Sequence, residues 1–349
     1  MDKSASAQSG KVESNAKVTE GLNETNDSSK KQKYDSWSTA LDVAAGVDLK
    51  GKTALVTGTN AGIGIETART LCLCGAHVVM ANRNMAESEK CRDALKKEKP
   101  DAEIDLLHVD LSSLQSVEAA AKEFLSKNWR LHILILNAGV FAPSEKSTID
   151  GYETTFGVNH LGHFYFTYLL LPRIRESAPA RIVIVSSVSH SLTGINVSSS
   201  VEDKLQHLMP APNSYINVFR LYAFSKLCNV LMALKLHRME HQNGINVYVL
   251  HPGHFIGTSI SRSFGILASL MKVLLKPFTK TLQQGAATTI YCAISDDVKN
   301  ESGMYYDNCY IAETKLSAEL ARDEALQDAL WNKSVQIVEE YEKNRAQQS

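Results

Sequence analysis

From Lys52 onward, the hydrophobic residues of this chain gather in short, nearly continuous runs that are rich in β-branched side chains. These runs predict six strands, which are Thr53–Thr57, His77–Ala81, Ile104–Val109, Leu131–Leu136, Arg181–Ser186 and Ile245–Leu250. Apolar runs without regular polar alternation are typical of strands that are buried on both faces of a sheet. The pattern therefore predicts a sheet that other elements cover on both sides.

Longer segments with helical periodicity separate these strands. They are Ile65–Cys74, Met85–Lys97, Ser113–Lys127, Tyr152–Leu171 and Phe219–His241. Alternation of strands and helices at this spacing indicates βαβ units and a parallel sheet, and right-handed crossovers place the helices on both faces. We therefore predict an α/β fold with a doubly wound, Rossmann-type parallel sheet in one domain, residues 37–349, which includes a C-terminal helix.

Residues 1–36 differ in composition from the rest of the chain. They are rich in Ser, Lys, Asn, Glu and Thr and contain almost no large apolar side chains. Such a segment buries too little apolar surface to offset the entropy that is lost on ordering. We expect a disordered tail, which serves either as a solvated extension or as a regulatory or docking segment.

Composition narrows the classes of protein to which the chain can belong. Of its 349 residues, 44% are hydrophobic, which is enough for a sizeable core and excludes a largely disordered protein. Its 37 basic and 38 acidic residues give a formal net charge of −1, so the chain has no electrostatic footprint for nucleic acid. No apolar run approaches the ~18 residues of a transmembrane helix.

The cysteines and the N-terminal residues of the chain indicate the cellular compartment in which the protein resides. The six cysteines include Cys72 and Cys74, whose CxC spacing fits neither a zinc knuckle nor a thioredoxin motif. No charged-then-apolar signal peptide opens the chain. We expect a reduced, intracellular, cytoplasmic protein, with peripheral contact to an intracellular membrane as the alternative.

A glycine-rich loop joins the first predicted strand to the first predicted helix. Its glycines have the spacing GxxxGxG, and the candidate cofactor-binding residues in it are Gly58, Asn60, Gly62, Ile63 and Gly64. Gly58 permits a tight turn, Gly62 lets the backbone approach a pyrophosphate, and Gly64 allows close packing. The N–H groups and the dipole at the start of the helix then favour phosphate, so the loop indicates a dinucleotide.

The ends of the next two strands bear on which dinucleotide binds. NAD enzymes usually carry an acidic residue at the end of the second strand, but this chain has Asn82 and then Arg83 there. Arg83 can clamp a 2′-phosphate, which favours NADP(H). Asp110, after the third strand, either caps the following helix or hydrogen-bonds an adenine amino group.

Candidate catalytic residues lie on a helix and at the ends of strands. Tyr222 and Lys226 are one helical turn apart, on one face, and a nearby ammonium is expected to lower the phenol pKa from ~10 towards neutrality. Polar or turn residues accompany this pair at the ends of other strands and on another helix; they are Ser187, Asn137, Ala138, Gly139, Asn159, Pro252 and Gly253.

In this order and on these elements, the motifs resemble those of the short-chain dehydrogenase/reductase family. The resemblance runs from about Leu49 through the C-terminal region, and it is carried further by residues 153–164, 177–181, 225–229, 276–280 and 284–289. Within the family it is greatest to members with WW modules and next to the retinol dehydrogenases. WW modules contain paired tryptophans, whereas Trp37 is the only tryptophan before the predicted domain, so binding of proline motifs is not carried over.

The resemblance implies a role for each matching residue. Tyr222 exchanges the substrate proton, Lys226 binds the nicotinamide ribose and lowers the Tyr222 pKa, and Ser187 holds the substrate oxygen. Asn159 holds a water that links Lys226 to solvent. Thr258 is assigned to the nicotinamide amide, although it comes one residue later than in the common pattern.

The implied activity is oxidoreduction at a CH–OH group with NADP(H), in which the cofactor carries the hydride. The implied substrate is a small lipophilic alcohol or carbonyl of retinoid or steroid type. The alternative is an interaction or regulatory protein that retains the cofactor and turns over little. Family members often form homodimers through the helices predicted over Tyr152–Leu171 and Phe219–His241.

Two further segments bear on the substrate. The stretch between Ser187 and Tyr222 is long for the family, and its part from Val201 to Pro210 is expected to fold over the pocket. Residues 264–278 are strongly apolar with two lysines, and they predict a substrate lid, an amphipathic helix on a membrane surface or a packed helix.

Histidines at helical spacing raise the question of a metal site. The pairs are His160 with His163 and His237 with His241. Neither pair has the glutamate of an HExxH motif, and no third ligand is apparent. We therefore expect core or surface histidines and no metal.

Overall fold

The structure of the protein, a computed structural model, describes residues 33–253 and 280–347. Within these residues, eight strands form one sheet in the order β3-β2-β1-β4-β5-β6-β7-β8. Their bounds are β1 Thr53–Thr57, β2 His77–Asn82, β3 Ile104–His108, β4 Ile133–Leu136, β5 Ala180–Val185, β6 Ile245–His251, β7 Met304–Asp307 and β8 Tyr310–Ile311. All neighbouring strands pair in parallel except β7 and β8. The predicted doubly wound parallel sheet is confirmed.

The six predicted strands correspond to β1–β6, with ends that differ by up to two residues. The sequence analysis missed β7 and β8, which extend the sheet beyond β6. These strands are short, and Asn308 and Cys309 between them have φ of +52° and +64°, so a tight two-residue turn joins them. A four-residue strand followed by polar residues carries little hydrophobic pattern of its own, because its pairing with β6 supplies the burial.

Helices cover both faces of the sheet. Their bounds are α1 Ala40–Ala44, α2 Gly62–Leu73, α3 Met85–Glu98, α4 Leu114–Ser126, α5 Thr154–Phe156, α6 Gly162–Glu176, α7 Val201–Leu208, α8 Val218–Glu240, α9 Leu282–Ile294, α10 Ala318–Ala321 and α11 Glu324–Ala346. Alternate strand residues face two separate cores: Leu55 packs with α4, α6, α8 and α11, and Val56 packs with α1, α2 and α9. This alternation is why the central strands are apolar along most of their length, whereas β3, at the edge of the sheet, carries the exposed residues Asp105 and His108.

The helix predicted over Tyr152–Leu171 is irregular and longer than expected. It consists of α5, a π-helical turn over Gly157–Leu161, and α6, which continues past Pro172 to Glu176. Ile174, beyond the proline, is fully buried, so packing on the sheet offsets the hydrogen bond that the proline removes. The π turn matters for function because it carries Asn159.

The C-terminal helix α11 covers the outer sides of α6 and α8. Trp331 packs edge-to-face on Phe164 at a centroid distance of 4.9 Å, and the Tyr165 hydroxyl donates to Glu342 at 2.8 Å. Lys235 of α8 pairs with Asp328 at 2.8 Å. A homodimer through α6 and α8 stays a prediction, and it would require α11 to leave this face.

We expect Trp331→Ala to lower the free energy of unfolding by about 3–5 kcal/mol, because a buried aromatic side chain is lost and a cavity remains. Trp331 is 8% exposed, whereas Trp37 is 64% exposed, so Trp37→Ala is the matched control and should change stability by less than about 0.5 kcal/mol. Urea unfolding followed by circular dichroism measures both. Equal effects of the two substitutions would contradict the docked position of α11.

The last residues of the segment expected to be a tail are among those described. Tyr34 is buried and packs edge-to-face on Tyr291 of α9 at a centroid distance of 5.7 Å. The main-chain oxygen of Trp37 accepts a hydrogen bond from Gln284 at 3.2 Å. The chain is therefore in contact with α9 from Tyr34 onward.

The described helices also bear on membrane insertion. Within residues 33–253 and 280–347, none of the helices has both the length and the apolar character that a membrane span requires. The predicted lid or membrane segment, 264–278, and Thr258 lie outside the described residues.

Candidate active site

A cavity lies at the carboxyl ends of the parallel strands, where ligands bind in open α/β sheets. Residues from the glycine loop, from the ends of β2 to β6 and from α8 line it; they are Gly58, Asn60, Ala61, Gly62, Ile63, Gly64, Ala81, Asn82, Arg83, Asn84, Val109, Asp110, Leu111, Asn137, Ala138, Gly139, Val140, Val158, Val185, Ser186, Tyr222, Lys226 and Pro252. Most of the cofactor-binding residues predicted from the sequence therefore meet at one cavity.

The glycine loop is shaped to hold a ligand against its backbone. Gly58 has a φ of +75°, which side chains rarely adopt. A Cβ on Gly64 would lie 2.0 Å from the carbonyl oxygen of Gly58 and 2.6 Å from Nδ2 of Asn137, so only glycine fits there. No side chain caps the start of α2, and its first residues, Gly62, Ile63 and Gly64, line the cavity. This arrangement fits the pyrophosphate of a dinucleotide.

Asn82 fastens the glycine loop to β2, a role that the sequence analysis missed. Its Oδ1 accepts from the Thr59 N–H at 2.6 Å, and its Nδ2 donates to Oγ1 of Thr59 at 2.7 Å. Asn82 is buried. The signal in the sequence was an amide residue, Asn82, at a strand end where an acidic residue is usual. An amide side chain can donate and accept hydrogen bonds at the same time, which a carboxylate cannot.

Arg83 and Asp110 line the cavity at the ends of β2 and β3. Arg83 is exposed, and within the described part of the chain its guanidinium has no hydrogen bond or ion pair. Oδ1 of Asp110 accepts from the N–H and the hydroxyl of Ser112 at 2.9 Å and 2.6 Å. Ser113, not Asp110, caps α4, so the capping alternative for Asp110 is wrong.

The end of β1 is tied to the loop after β4. The Thr57 hydroxyl oxygen accepts from the N–H groups of Asn137 and Ala138 at 3.0 Å and 3.1 Å. Nδ2 of Asn137 donates to the carbonyl oxygens of Thr57 and Gly58 at 2.9 Å and 3.3 Å. The glycine loop and the floor of the cavity are thus one hydrogen-bonded unit.

Of the four predicted catalytic residues, Tyr222 and Lys226 line this cavity, and Ser187 directly follows Ser186, which also lines it. The Ser187 hydroxyl lies near the phenol of Tyr222, and it donates to Oγ of Ser189 at 3.2 Å. Nζ of Lys226 lies 5.5 Å from the centre of the Tyr222 ring and donates to the carbonyl oxygen of Val185 at 3.1 Å. Ser186, the neighbour of Ser187, donates to the Lys226 carbonyl oxygen at 2.8 Å and so fixes the end of β5 against α8.

The charge states of this group differ from the expectation. Burial raises the pKa of Tyr222 to about 12, and the nearby Ser187 hydroxyl lowers it only in part. Burial lowers the pKa of Lys226 to about 8. The pKa of Tyr222 is therefore raised, contrary to the predicted lowering by Lys226, because desolvation dominates and the one group that opposes it is Ser187.

Asn159 is committed to protein partners. Its Oδ1 accepts from the Val140 N–H at 2.7 Å, and its Nδ2 donates to the Val140 carbonyl at 3.0 Å and to Oγ of Ser225 at 3.0 Å. Ser225 in turn donates to the carbonyl oxygen of Tyr222 at 2.8 Å. The Asn159 side chain therefore joins the loop after β4 to the helix of Tyr222, and the predicted role in holding a water stays a prediction.

Two aromatic residues that the sequence analysis missed stand beside Tyr222. Phe141 packs edge-to-face on the Tyr222 ring with centroids 5.3 Å apart, and it contacts Phe219 with centroids 5.2 Å apart. Phe219 is 58% exposed. The signal available in the sequence was the position of Phe219, three residues before Tyr222, because this spacing places the rings of Phe219 and Tyr222 on one face of α8.

The stretch from Val201 to Pro210 does not cover the cavity. Its helix, α7, packs on α8 and α11, with Leu208 fully buried. Lys204 of α7 pairs with Asp323 at 2.9 Å. No residue of α7 is among those that line the described cavity, and the expected fold of this stretch over the substrate pocket stays a prediction. The apolar side chains of this stretch belong to the core or pack against it.

The remaining predicted positions are placed as follows. Pro252 lines the cavity, and Gly253 has a φ of +117° beneath the side chain of Lys280. Tyr215 is fully exposed. Partners of the four histidines are core or surface groups; they are Thr57 and Asn159 for His163, Ser334 for His160, Ser302 for His237 and Asn246 for His241. Among the described residues, no group of three or more side chains could hold a metal ion.

Known proteins resemble this chain over most of its length. Residues 52–199 match the short chain dehydrogenase family. The WW domain-containing oxidoreductase of Gallus gallus is 43% identical over 310 residues, which are 89% of this chain and 73% of that protein. Retinol dehydrogenase 12 of Mus musculus is 37% identical over 292 residues, which are 84% of this chain and 88% of that protein.

Solved structures share the fold at lower identity. Levodione reductase has a TM-score of 0.58 at 21% identity, over 74% of this chain and 95% of its own. A gluconate 5-dehydrogenase from Burkholderia cenocepacia, in complex with NADP and tartrate, has a TM-score of 0.57 at 22% identity. The match covers 77% of this chain and 97% of that protein. Identity to the curated relatives confirms the resemblance inferred from the motifs, and the cavity fits a nicotinamide cofactor. The chain belongs to the short-chain dehydrogenase family of NAD(P)-dependent oxidoreductases that act on CH–OH donors.

Proposed function

We propose that this chain is an NADP-dependent oxidoreductase that interconverts the alcohol and the carbonyl of a lipophilic substrate, with Tyr222 as the acid and base. The observation that carries the proposal is the meeting of Ser187, Tyr222 and Lys226 beside the glycine-loop cavity. When bound, the nicotinamide supplies or accepts the hydride. The N–H groups of the glycine loop and of α2 hold its pyrophosphate.

The proton step belongs to Tyr222. With a pKa of about 12, its phenol is protonated throughout the physiological range, so it is ready to donate a proton to the oxygen of a bound carbonyl. Ser187, whose hydroxyl lies near the same phenol, is placed to hold that oxygen while negative charge develops on it. These charge states favour carbonyl reduction over alcohol oxidation.

The preference for NADP rests on Arg83. Its exposed guanidinium lines the cavity at the end of β2, where it meets the ribose end of a dinucleotide that lies on the glycine loop. Asn82 is occupied by Thr59, so it does not serve the ribose. Asp110, on the neighbouring strand, is the one carboxylate among the described residues that line the cavity. A cation without an adjacent acid favours a 2′-phosphate.

The lipophilic substrate is supported by the aromatic residues at the phenol. Phe141 and Phe219 form an apolar wall that continues outward from Tyr222. Leu192, just beyond the turn that Ser187 begins, is 71% exposed. A retinoid or steroid carbonyl would bury this surface, and burial of apolar area contributes about 25 cal/mol per Å². The likeness to retinol dehydrogenase 12 agrees with a substrate of this type.

The test is NADPH oxidation by the purified full chain with retinal, steroid ketones and short aliphatic aldehydes. We expect turnover with the lipophilic carbonyls and a higher KM for the short aldehydes. Turnover that is equal for all carbonyls would overturn the substrate class. Bound NADPH with no turnover of any carbonyl would overturn the enzymatic proposal and favour a regulatory protein that retains the cofactor.

The setting of this reaction is also a proposal. The six cysteines are free in the structure, in keeping with a reducing compartment, and the net charge is −1. We place the enzyme in the cytoplasm, either unattached or in peripheral contact with an intracellular membrane from which a lipophilic substrate is drawn. Vesicle flotation with and without retinal distinguishes the two.

Carbonyl reduction should depend on pH through Lys226. Burial lowers its pKa to about 8, so its ammonium is fully present below pH 7 and is lost as the pH rises through 8. Tyr222, with a pKa of about 12, keeps its proton over this range. We expect kcat/KM for reduction to be flat from pH 6 to 7 and to fall above pH 8. Lys226→Met should have a lower kcat/KM that does not fall above pH 8. The same fall above pH 8 in this variant would show that another group titrates.

A further inference from the structure

His163 occupies a buried position between the glycine loop and the π turn of Asn159. Its Nδ1 lies 3.1 Å from the carbonyl oxygen of Asn159, and its Nε2 lies 2.9 Å from Oγ1 of Thr57. The ring is 1% exposed and the Thr57 side chain is fully buried, so water does not replace either bond. The contact with Thr57 joins residues that are 106 positions apart in sequence.

The contacts determine the tautomer of this histidine. A carbonyl oxygen only accepts, so Nδ1 carries the hydrogen and donates to Asn159. Burial lowers the pKa of His163 to about 4, which keeps the ring neutral and leaves Nε2 as an acceptor. The Thr57 hydroxyl therefore donates to Nε2.

This direction completes the bonding of the Thr57 hydroxyl. A hydroxyl has one hydrogen and two acceptor positions. The N–H groups of Asn137 and Ala138 use the two acceptor positions, and His163 takes the hydrogen. The other contact of this hydroxyl, to the carbonyl oxygen of Ile135, is long at 3.5 Å. Without Nε2, the hydroxyl would lose its well-placed acceptor and could rotate away from the two N–H groups.

A continuous chain of hydrogen bonds then runs from the cofactor loop to the catalytic helix. It passes from Asn137 and Thr57 through His163 to the main chain of Asn159. The Asn159 side chain continues it through Ser225, which donates to the carbonyl oxygen of Tyr222. The imidazole of His163 therefore links the cofactor loop to the π turn whose Asn159 contacts the catalytic helix.

We propose that His163 is a positioning residue for the cofactor: its neutral, Nδ1-protonated ring orients the Thr57 hydroxyl and so fixes the loop of Asn137 and Ala138 at the cavity floor. It touches neither cofactor nor substrate. This inference rests on the proposed function only in that the cavity takes NADPH. Failure of the enzymatic proposal would appear as NADPH binding without turnover, which leaves the binding comparison below intact.

The test is titration of the full chain with NADPH by fluorescence. His163→Phe preserves the ring and removes both bonds, and we expect its Kd to rise at least fivefold. His163→Gln places an amide oxygen near the position of Nε2, restores an acceptor for Thr57 and should bind within about twofold of the wild type. Equal Kd values for the wild type and His163→Phe would overturn the proposal, as would an equal loss in His163→Gln.

His160→Phe is the matched control. His160 is equally buried and lies on the π turn just before α6, the helix of His163, but its Nε2 faces Ser334 of α11 at 3.3 Å. We expect a lower Tm with an unchanged Kd for NADPH. A rise in Kd equal to that of His163→Phe would show that any damage to the π turn weakens binding, and the specific role of His163 would be refuted.

A double-mutant cycle tests the bond itself. Thr57→Val removes the hydroxyl, and combined with His163→Phe it should raise Kd no more than the larger single substitution, because both remove the same bond. Multiplicative effects would contradict the coupling. If His163→Phe does not fold, the same bond is tested at Thr57 by comparing Thr57→Val, which removes the hydroxyl, with Thr57→Ser, which keeps it. We expect weaker NADPH binding only with valine. Equal Kd values for the two variants would overturn the proposal.

Discussion

Tyr222→Phe is expected to lower kcat by about a thousandfold, within the 10²–10⁴-fold range for loss of a general acid. The substitution removes only the phenol oxygen. The ring keeps its edge-to-face contact with Phe141, and Lys226 keeps its bond to the Val185 carbonyl. The Kd for NADPH should therefore stay within about twofold of the wild-type value. Stopped-flow reduction of retinal and equilibrium titration measure the two quantities separately.

Tyr215→Phe controls for the loss of a hydroxyl. Tyr215 lies seven positions before Tyr222 and is fully exposed, so its kcat should equal that of the wild type. Tyr222→Phe with a kcat within threefold of the wild type would refute the assignment of the acid. A large rise in the Kd for NADPH would instead show that the hydroxyl supports the cavity.

Arg83→Asp is expected to lower the ratio of NADPH to NADH affinity by at least about a hundredfold, which corresponds to about 2.7 kcal/mol. The change removes a cation from the end of β2 and places a carboxylate where a 2′-phosphate would bind. Two like charges about 4 Å apart near a protein surface repel by several kcal/mol before screening by salt. NADH carries no 2′-phosphate, so its affinity should hold or rise.

Lys90→Asp makes the same change in net charge on α3, where Lys90 is exposed and outside the lining of the cavity. We expect its affinity ratio to match that of the wild type. Titration of both variants with both cofactors at two salt concentrations decides the matter. An affinity ratio that falls equally in both variants would show a general field effect and remove Arg83 as the group that recognises the phosphate.

The elements that could be predicted from the sequence are those whose own residues, without distant partners, carry the signal. The strands β1–β6 were found to within two residues because most of their side chains are apolar, although β3 carries the exposed residues Asp105 and His108. The glycine loop was found because its glycines are required by the local backbone: Gly58 has a positive φ, and Gly64 lies too close to the Gly58 carbonyl oxygen for a side chain to fit. Tyr222 and Lys226 were found because one helical turn separates them.

Features that depend on distant partners were not predictable in this way. The role of Asn82 needs Thr59, and that of Phe141 needs Phe219 and Tyr222. The pKa of Tyr222 was expected to fall, yet it is raised, because its desolvation depends on the elements packed around it. The packing of α7 on α8 and α11 was likewise not predicted, because it depends on the position of the C-terminal helix.

The most direct measurement of the central claim is transfer of deuterium from NADPH labelled at C4 of the nicotinamide to retinal. Mass spectrometry of the product would follow it, with Tyr222→Phe as the control. We predict retinol that carries one deuterium with the wild-type chain and at least about a hundredfold less with the control. NADPH that binds to the wild type without labelled product, or equal labelling by both proteins, would contradict the account.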